Sequence, residues 1–145
     1  MNRNLENIIE RYCRKNNITV RFFHSSTTGG LVNAFVKDGR INNKNIGVEV
    51  WGGFCKRTLD WVFLHEISHT SGIILNRCSI VRCEEEIYRR YEECLANKIT
   101  YALFTHFNKK YNYLKNCERF TREEEKSLKD KIDLDIKQAI NLFFD

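Results

Sequence analysis

The order of the periodic segments in this sequence predicts an α+β fold. Apolar residues recur at helical spacing near the start, which predicts a helix over Leu5–Lys15. The segments that follow are β-branched and aromatic and resemble strands, whereas the chain after Gly53 has helical periodicity. No proline, low-complexity stretch or internal repeat marks a boundary, so we expect one domain over residues 1–145.

Three strands are predicted to form a small antiparallel sheet. They are Ile18–His24, Leu31–Val36 and Ile46–Trp51. Asp38-Gly39, between the second and the third, is a strong hairpin signal.

Three helices are predicted to follow the sheet. The first starts at Thr58, which is a suitable N-cap, and runs to the residue before Gly72, which is placed to end it. The second covers Glu84–Phe107. The third covers Thr121–Phe143, and its first residue can form a capping box with Glu124.

The first of these helices contains the motif H-E-x-x-H, in which His65 and His69 are four residues apart. Residues at this spacing share a helix face, so both imidazoles can reach one metal ion. Glu66 lies about 100° round the helix from His65, where it can take a proton from a metal-activated water. Zinc suits two imidazoles and a carboxylate, which leaves a fourth position open. The alternative is a pair of hydrogen-bonded core histidines, because apolar residues on both sides indicate a central helix.

A third ligand is needed further along the chain. A histidine six residues after His69 is excluded, because Leu75 occupies that position. On the next helix Glu93 and Asn97 share a face, so Glu93 can bind the metal while Asn97 accepts the ring N–H of His65. The alternative is that Glu93 is an exposed member of a charged helix. Other candidate ligands are Glu86, Glu92 and His106.

The two motifs together resemble the gluzincin pattern, and the sequence is most similar to the ImmA/IrrE family of small zinc peptidases. The segment Glu93–Thr100 reads E-C-L-A-N-K-I-T, where the family commonly has E-x-E-A-N-x-F-A. The first Glu and the Ala-Asn pair match, whereas Leu95 and Thr100 differ, and Ser68 stands where Gly is usual. The resemblance extends over residues 5–107.

This resemblance implies a minimal zincin-like domain with an N-terminal helix, a small antiparallel sheet, a motif helix, a third-ligand helix and a C-terminal helix. It implies a zinc-dependent endopeptidase that cleaves a protein substrate, for example a transcriptional repressor. It also implies that Ile46–Trp51 is an edge strand over the active site, on which an extended substrate lies, as β-augmentation requires. The alternative is an ordinary strand without a ligand.

Hydrolysis also needs a donor for the developing oxyanion. Tyr101 is a candidate because it continues the face of Glu93 and Asn97, although a core aromatic would occupy the same face. Other candidates are His24, Tyr88, Tyr91 and His106.

Charge and cysteine content limit the alternatives. Residues 1–57 hold ten of the 24 Lys/Arg but four of the 19 Asp/Glu, which permits contact with nucleic acid. No nucleic-acid motif accompanies this charge, so nucleic acid is not an expected partner. None of the six cysteines forms a Cys-x-x-Cys pair, so we expect free, partly buried thiols. The alternatives are a disulfide and a second metal site.

No apolar run approaches the roughly 18–20 residues that span a bilayer, and the first segment lacks signal-peptide features. We therefore expect a cytoplasmic protein without a membrane contact. The second function that fits the sequence is a non-catalytic zincin-like module, which binds metal together with a regulatory protein or nucleic acid. Glu66 favours the enzyme, because a binding module has no need of a base between its ligands.

Overall fold

The computed structural model describes residues 3–37, 40–53, 56–77, 86–107 and 117–145. Helix α1 (Arg3–Lys15) precedes strands β1 (Ile18–Phe23), β2 (Gly29–Lys37) and β3 (Arg40–Trp51). Helices α2 (Lys56–Ile74), α3 (Glu86–His106), α4 (Arg122–Ser127) and α5 (Lys129–Phe144) follow. The predicted α+β class is confirmed. Among the described residues, no helix has the length and apolar character needed to cross a membrane.

The strand order is β1-β3-β2, with β3 parallel to β1 and antiparallel to β2. The sheet is therefore mixed, and the prediction of an antiparallel sheet is wrong for the β1–β3 pair. The prediction that Ile46–Trp51 is an edge strand is also wrong, because this segment belongs to the central strand. Ile46, Val48 and Val50 are buried in the core. Buried β-branched side chains such as these pack well in a central strand, which has a paired strand on each side.

Strands β2 and β3 are consecutive in the chain and pair antiparallel. Lys37 pairs with Arg40 across the two strands. The predicted turn residues, Asp38 and Gly39, lie outside the described residues.

Helix α2 crosses beneath one face of the sheet. Phe22, Val50 and Gly30 form one cross-strand row on this face. The ring of Phe22 on β1 lies 5.2 Å from that of Phe63 on α2, and Gly30 on β2 lies against Glu66. The motif helix therefore passes from β1 at Phe63 to β2 at Glu66, which places the motif under the β2 edge.

The ends of α2 differ from the predicted ones. The helix begins before Thr58 and continues past Gly72 to Ile74. Asn76, two residues later, has a left-handed conformation with φ of 55°. The Arg77 N–H donates to the Gly72 carbonyl at 2.9 Å, as in a Schellman motif. Gly72 instead provides room for α3, since a Cβ there would lie 2.8 Å from Oε2 of Glu92. An asparagine thus ends the helix, and the glycine serves packing.

The C-terminal helical region is divided into α4 and α5 at Leu128, where a single helix is predicted. The predicted capping box is confirmed. The Glu124 N–H donates to the Thr121 hydroxyl at 3.1 Å, and the Thr121 N–H donates to the Glu124 carboxylate at 2.9 Å.

Candidate metal centre

Helices α2 and α3 run antiparallel and bring three predicted ligands together. The Nε2 atoms of His65 and His69 are 3.1 Å apart. The two oxygens of Glu93 lie 3.0 Å from Nε2 of His65 and 3.1 Å from Nε2 of His69. The imidazole planes are nearly perpendicular, at 87°. The three side chains form a group that can hold a metal ion.

The donor set fits a catalytic zinc ion. Ligands of a tetrahedral zinc ion at about 2.0–2.1 Å are separated from one another by about 3.3 Å. Here one donor atom from each of the three side chains lies within 4.8 Å of the other two. The side chains of His65, His69 and Glu93 are 14%, 17% and 38% exposed. The group is therefore open to solvent on one side, as a site with a free fourth position requires.

Asn97 fixes the orientation and tautomer of His65. Its Nδ2 donates to the carbonyl of Glu118 at 2.8 Å, which turns its Oδ1 toward His65. Nδ1 of His65 lies 2.8 Å from that oxygen and must carry a proton in order to donate to it. A neutral His65 therefore presents the lone pair of Nε2 to Glu93 and His69, as metal binding requires. The hydrogen bond that we expected between His65 and Asn97 is present.

The contacts among these donor atoms shift the pKa values of Glu93 and His69. Burial raises the pKa of Glu93, but its contacts with His65 and His69 outweigh burial and hold this pKa well below its ordinary value. Burial lowers the pKa of His69, but Glu93 outweighs that effect and raises it overall. Both shifts are those of a site that favours a positive charge, as a cation site does. The 3.1 Å contact between the two imidazoles also fits the alternative of a hydrogen-bonded histidine pair.

Glu66 lies beside this group without belonging to it. Its side chain is 9% exposed, and burial raises its pKa, although His69 and His65 act in the opposite direction. A Cβ at Gly30 would lie 2.5 Å from Cγ of Glu66. The missing side chain thus lets the backbone of β2 lie directly against the carboxylate.

The other candidate ligands have different environments. Glu92 forms an ion pair with Arg77 at 3.2 Å. Glu86 is exposed in the first turn of α3. His106 lies at the opposite end of α3, where its ring packs 4.6 Å from that of Phe144. Glu93 is the carboxylate that reaches both histidines.

Tyr101 lies one turn beyond Asn97 on α3 and is 41% exposed. It is not a core aromatic, so that alternative is wrong. Its role as a donor to the oxyanion stays a prediction.

The remaining candidate donors have separate environments. The Tyr91 hydroxyl donates to Asp135 at 2.5 Å, which joins α3 to α5. Tyr88 is exposed in the first turn of α3, and His24 follows β1 and lies beside Gly53.

Sequence reasoning missed two features of the site. The carbonyl of Glu118 is a backbone group, and no side-chain pattern reports it. Gly30 is not among the predicted site residues, yet a glycine pair before an alternating apolar segment is a signal of close backbone approach.

The cysteines take no part in this centre as far as the structure describes them. Cys13, Cys94 and Cys117 are free thiols, and the other three lie outside the described residues. Burial raises the pKa of Cys13 to about 12 and that of Cys94 to about 11, which favours the protonated thiol over the reactive thiolate.

Comparison of the chain with family models, curated proteins and solved structures gives no match. The interpretation of this site therefore rests on its geometry.

We expect Asn97→Ala to weaken zinc binding by about 10–100-fold, because it removes the partner that fixes the His65 tautomer. Competition with a chromophoric chelator measures the dissociation constant. His106→Ala is the matched control, since it alters the same helix at its distant end. Equal affinity of wild type and Asn97→Ala would show that the amide does not orient the ligand.

Proposed function

We propose that the protein is a zinc-dependent endopeptidase that hydrolyses a peptide bond of a protein substrate, such as a transcriptional repressor. The convergence of His65, His69 and Glu93 beside a buried Glu66 is the observation that supports this proposal most strongly. Two imidazole nitrogens and one carboxylate oxygen with an open side are typical of catalytic zinc.

The ligands and the base have separate tasks in this proposal. His65, His69 and Glu93 would hold zinc, which polarises the scissile carbonyl and lowers the pKa of the attacking water. Asn97 keeps His65 in the binding tautomer. Glu66 accepts a proton from the attacking water and delivers it to the leaving amine.

The environment of Glu66 favours catalysis over metal binding alone. Within the described ranges, no hydrogen bond or ion pair occupies its carboxylate, so the group is available as a base. In the metal-free site burial also raises its pKa, and a raised pKa is typical of a glutamate that acts as a general base.

The position of β2 suggests how a substrate binds. In the described part of the chain β2 pairs with β3 alone, and the face of this edge strand at Gly30 lies against Glu66. An extended peptide that pairs with this edge gains main-chain hydrogen bonds beside the base. We therefore assign to β2 the role that the sequence resemblance gave to Ile46–Trp51.

Metal removal tests the proposed function. We expect the purified protein to contain about one zinc ion per chain and to cleave unfolded casein. A chelator should abolish cleavage, and stoichiometric zinc should restore it. Magnesium addition to the chelated protein is the control. Full activity after complete removal of zinc would contradict the proposal.

A further inference from the structure

The outer face of the sheet carries an aromatic row beside the proposed site. Phe23 on β1, Trp51 on β3 and Gly29 on β2 are cross-strand partners. Because side chains alternate along a strand, this row faces away from α2, whereas the next row contains Gly30 and faces Glu66.

The indole of Trp51 extends across Gly29 to the edge of the sheet. A Cβ at Gly29 would lie 2.8 Å from Cζ2 and 2.9 Å from Nε1 of Trp51. The ring therefore occupies the space that a side chain at this edge position would fill, and part of it is accessible to solvent. The backbone of Gly29 and Gly30 lies between the indole on one face and Glu66 on the other.

A strand added to the β2 edge would continue this row. Directly opposed residues of neighbouring strands have Cβ atoms about 4.5–5.5 Å apart. A substrate residue that pairs with Gly29 would find no side chain there and would contact the indole of Trp51 instead. Its neighbour in the substrate would point toward the face that contains Glu66.

We propose that Trp51 is a specificity-determining residue, which selects extended substrate segments with a large apolar side chain, above all an aromatic one, opposite Gly29. This inference rests on the proposed function, because it takes β2 as the strand that binds substrate. Aromatic cross-strand pairs have modest energies, so we expect a preference for phenylalanine over alanine of about 2- to 10-fold.

The test measures binding separately from hydrolysis. The probes are short peptides of alanine and lysine that are identical except for the position of one phenylalanine. They are titrated into the zinc-loaded Glu66→Gln protein, which should hold a peptide without cleaving it. Each titration gives a dissociation constant. In the parent protein, tryptophan emission also reports whether the peptide contacts Trp51. Trp51 is the accessible one of the two tryptophans, whereas Trp61 is only 2% exposed.

Three variants in the Glu66→Gln background identify the residue responsible. Trp51→Ala should remove the preference for one phenylalanine position. Gly29→Ala should also remove this preference, because the new methyl group displaces the indole. This variant replaces Trp51→Ala in the test if Trp51→Ala does not fold. Phe23→Ala is the matched control, since it removes an aromatic ring of the same row at the opposite edge and should leave the preference intact.

Two outcomes would overturn the inference. One is a phenylalanine preference that persists in folded Trp51→Ala and Gly29→Ala. The other is the absence of any position-dependent preference in the parent protein. Both can occur while the wild-type protein still cleaves casein in a zinc-dependent manner, so failure of the inference is distinguishable from failure of the proposed function.

Discussion

Glu66→Gln should reduce kcat by about 10²–10⁴-fold, the usual contribution of general-base catalysis, while the protein still binds zinc. The amide has nearly the shape of the carboxylate but cannot accept the proton of the attacking water. Zinc affinity should change little, because Glu66 lies outside the group formed by His65, His69 and Glu93.

In the metal-free protein, the stability of this variant should not fall. Burial raises the pKa of Glu66, which means that the folded state disfavours the charged carboxylate. At pH values above the unfolded pKa, this shift lowers the free energy of unfolding. A neutral amide removes that cost, so thermal unfolding should occur at the same or a higher temperature.

Zinc content and the rate of casein cleavage are measured on one preparation, and thermal unfolding is measured on the same protein after removal of zinc. Glu86→Gln is the matched control, because it makes the same chemical change at an exposed position of α3. A Glu66→Gln protein with nearly full activity would exclude the role of base. Loss of zinc from this variant would mean that Glu66 supports the metal centre structurally.

The components of the metal centre could be predicted from sequence because each is local to one helix. A spacing of four residues places His65 and His69 on one face, and the same spacing places Glu93 and Asn97 on one face. Only the approach of two helices was then needed to bring these side chains together. Helical periodicity therefore carried most of the information about the site.

The strand order could not be predicted in the same way, because it depends on pairing between distant segments. Alternation in Ile46–Trp51 is compatible with a central or an edge strand, and burial from both sides decides between them. The role of Gly72 in packing also depends on a contact with a distant segment, so it could not be predicted from the local sequence. Its position fits a helix end, but the approach of Glu92 from another helix makes it a packing residue.

Glu93→Ala should weaken zinc binding severely, because Glu93 itself supplies a ligand. The loss of affinity should exceed the roughly 10–100-fold that follows mutation of a residue that only hydrogen-bonds to a ligand. It is also the only carboxylate among the described residues that contacts both His65 and His69. Its loss leaves two imidazoles, one fewer than the three protein ligands that catalytic zinc sites use.

Thermal unfolding with and without zinc gives an independent measure of the same effect. A ligand at 100 times its dissociation constant stabilises the folded state by about 2.7 kcal/mol. The wild-type unfolding temperature should therefore rise with zinc, and that of Glu93→Ala should hardly change. Glu86→Gln and His106→Ala are the controls and should respond as the wild type does.

Loss of zinc from Glu93→Ala would not be a consequence of unfolding, because other contacts join α2 to α3. The rings of Trp61 and Phe104 stack at 5.9 Å, and the hydroxyls of Ser68 and Thr100 lie 3.2 Å apart. The metal-free variant should thus keep the circular dichroism of the wild type. If His106→Ala instead empties the site while Glu93→Ala leaves it filled, the third ligand is a histidine and the gluzincin interpretation is wrong.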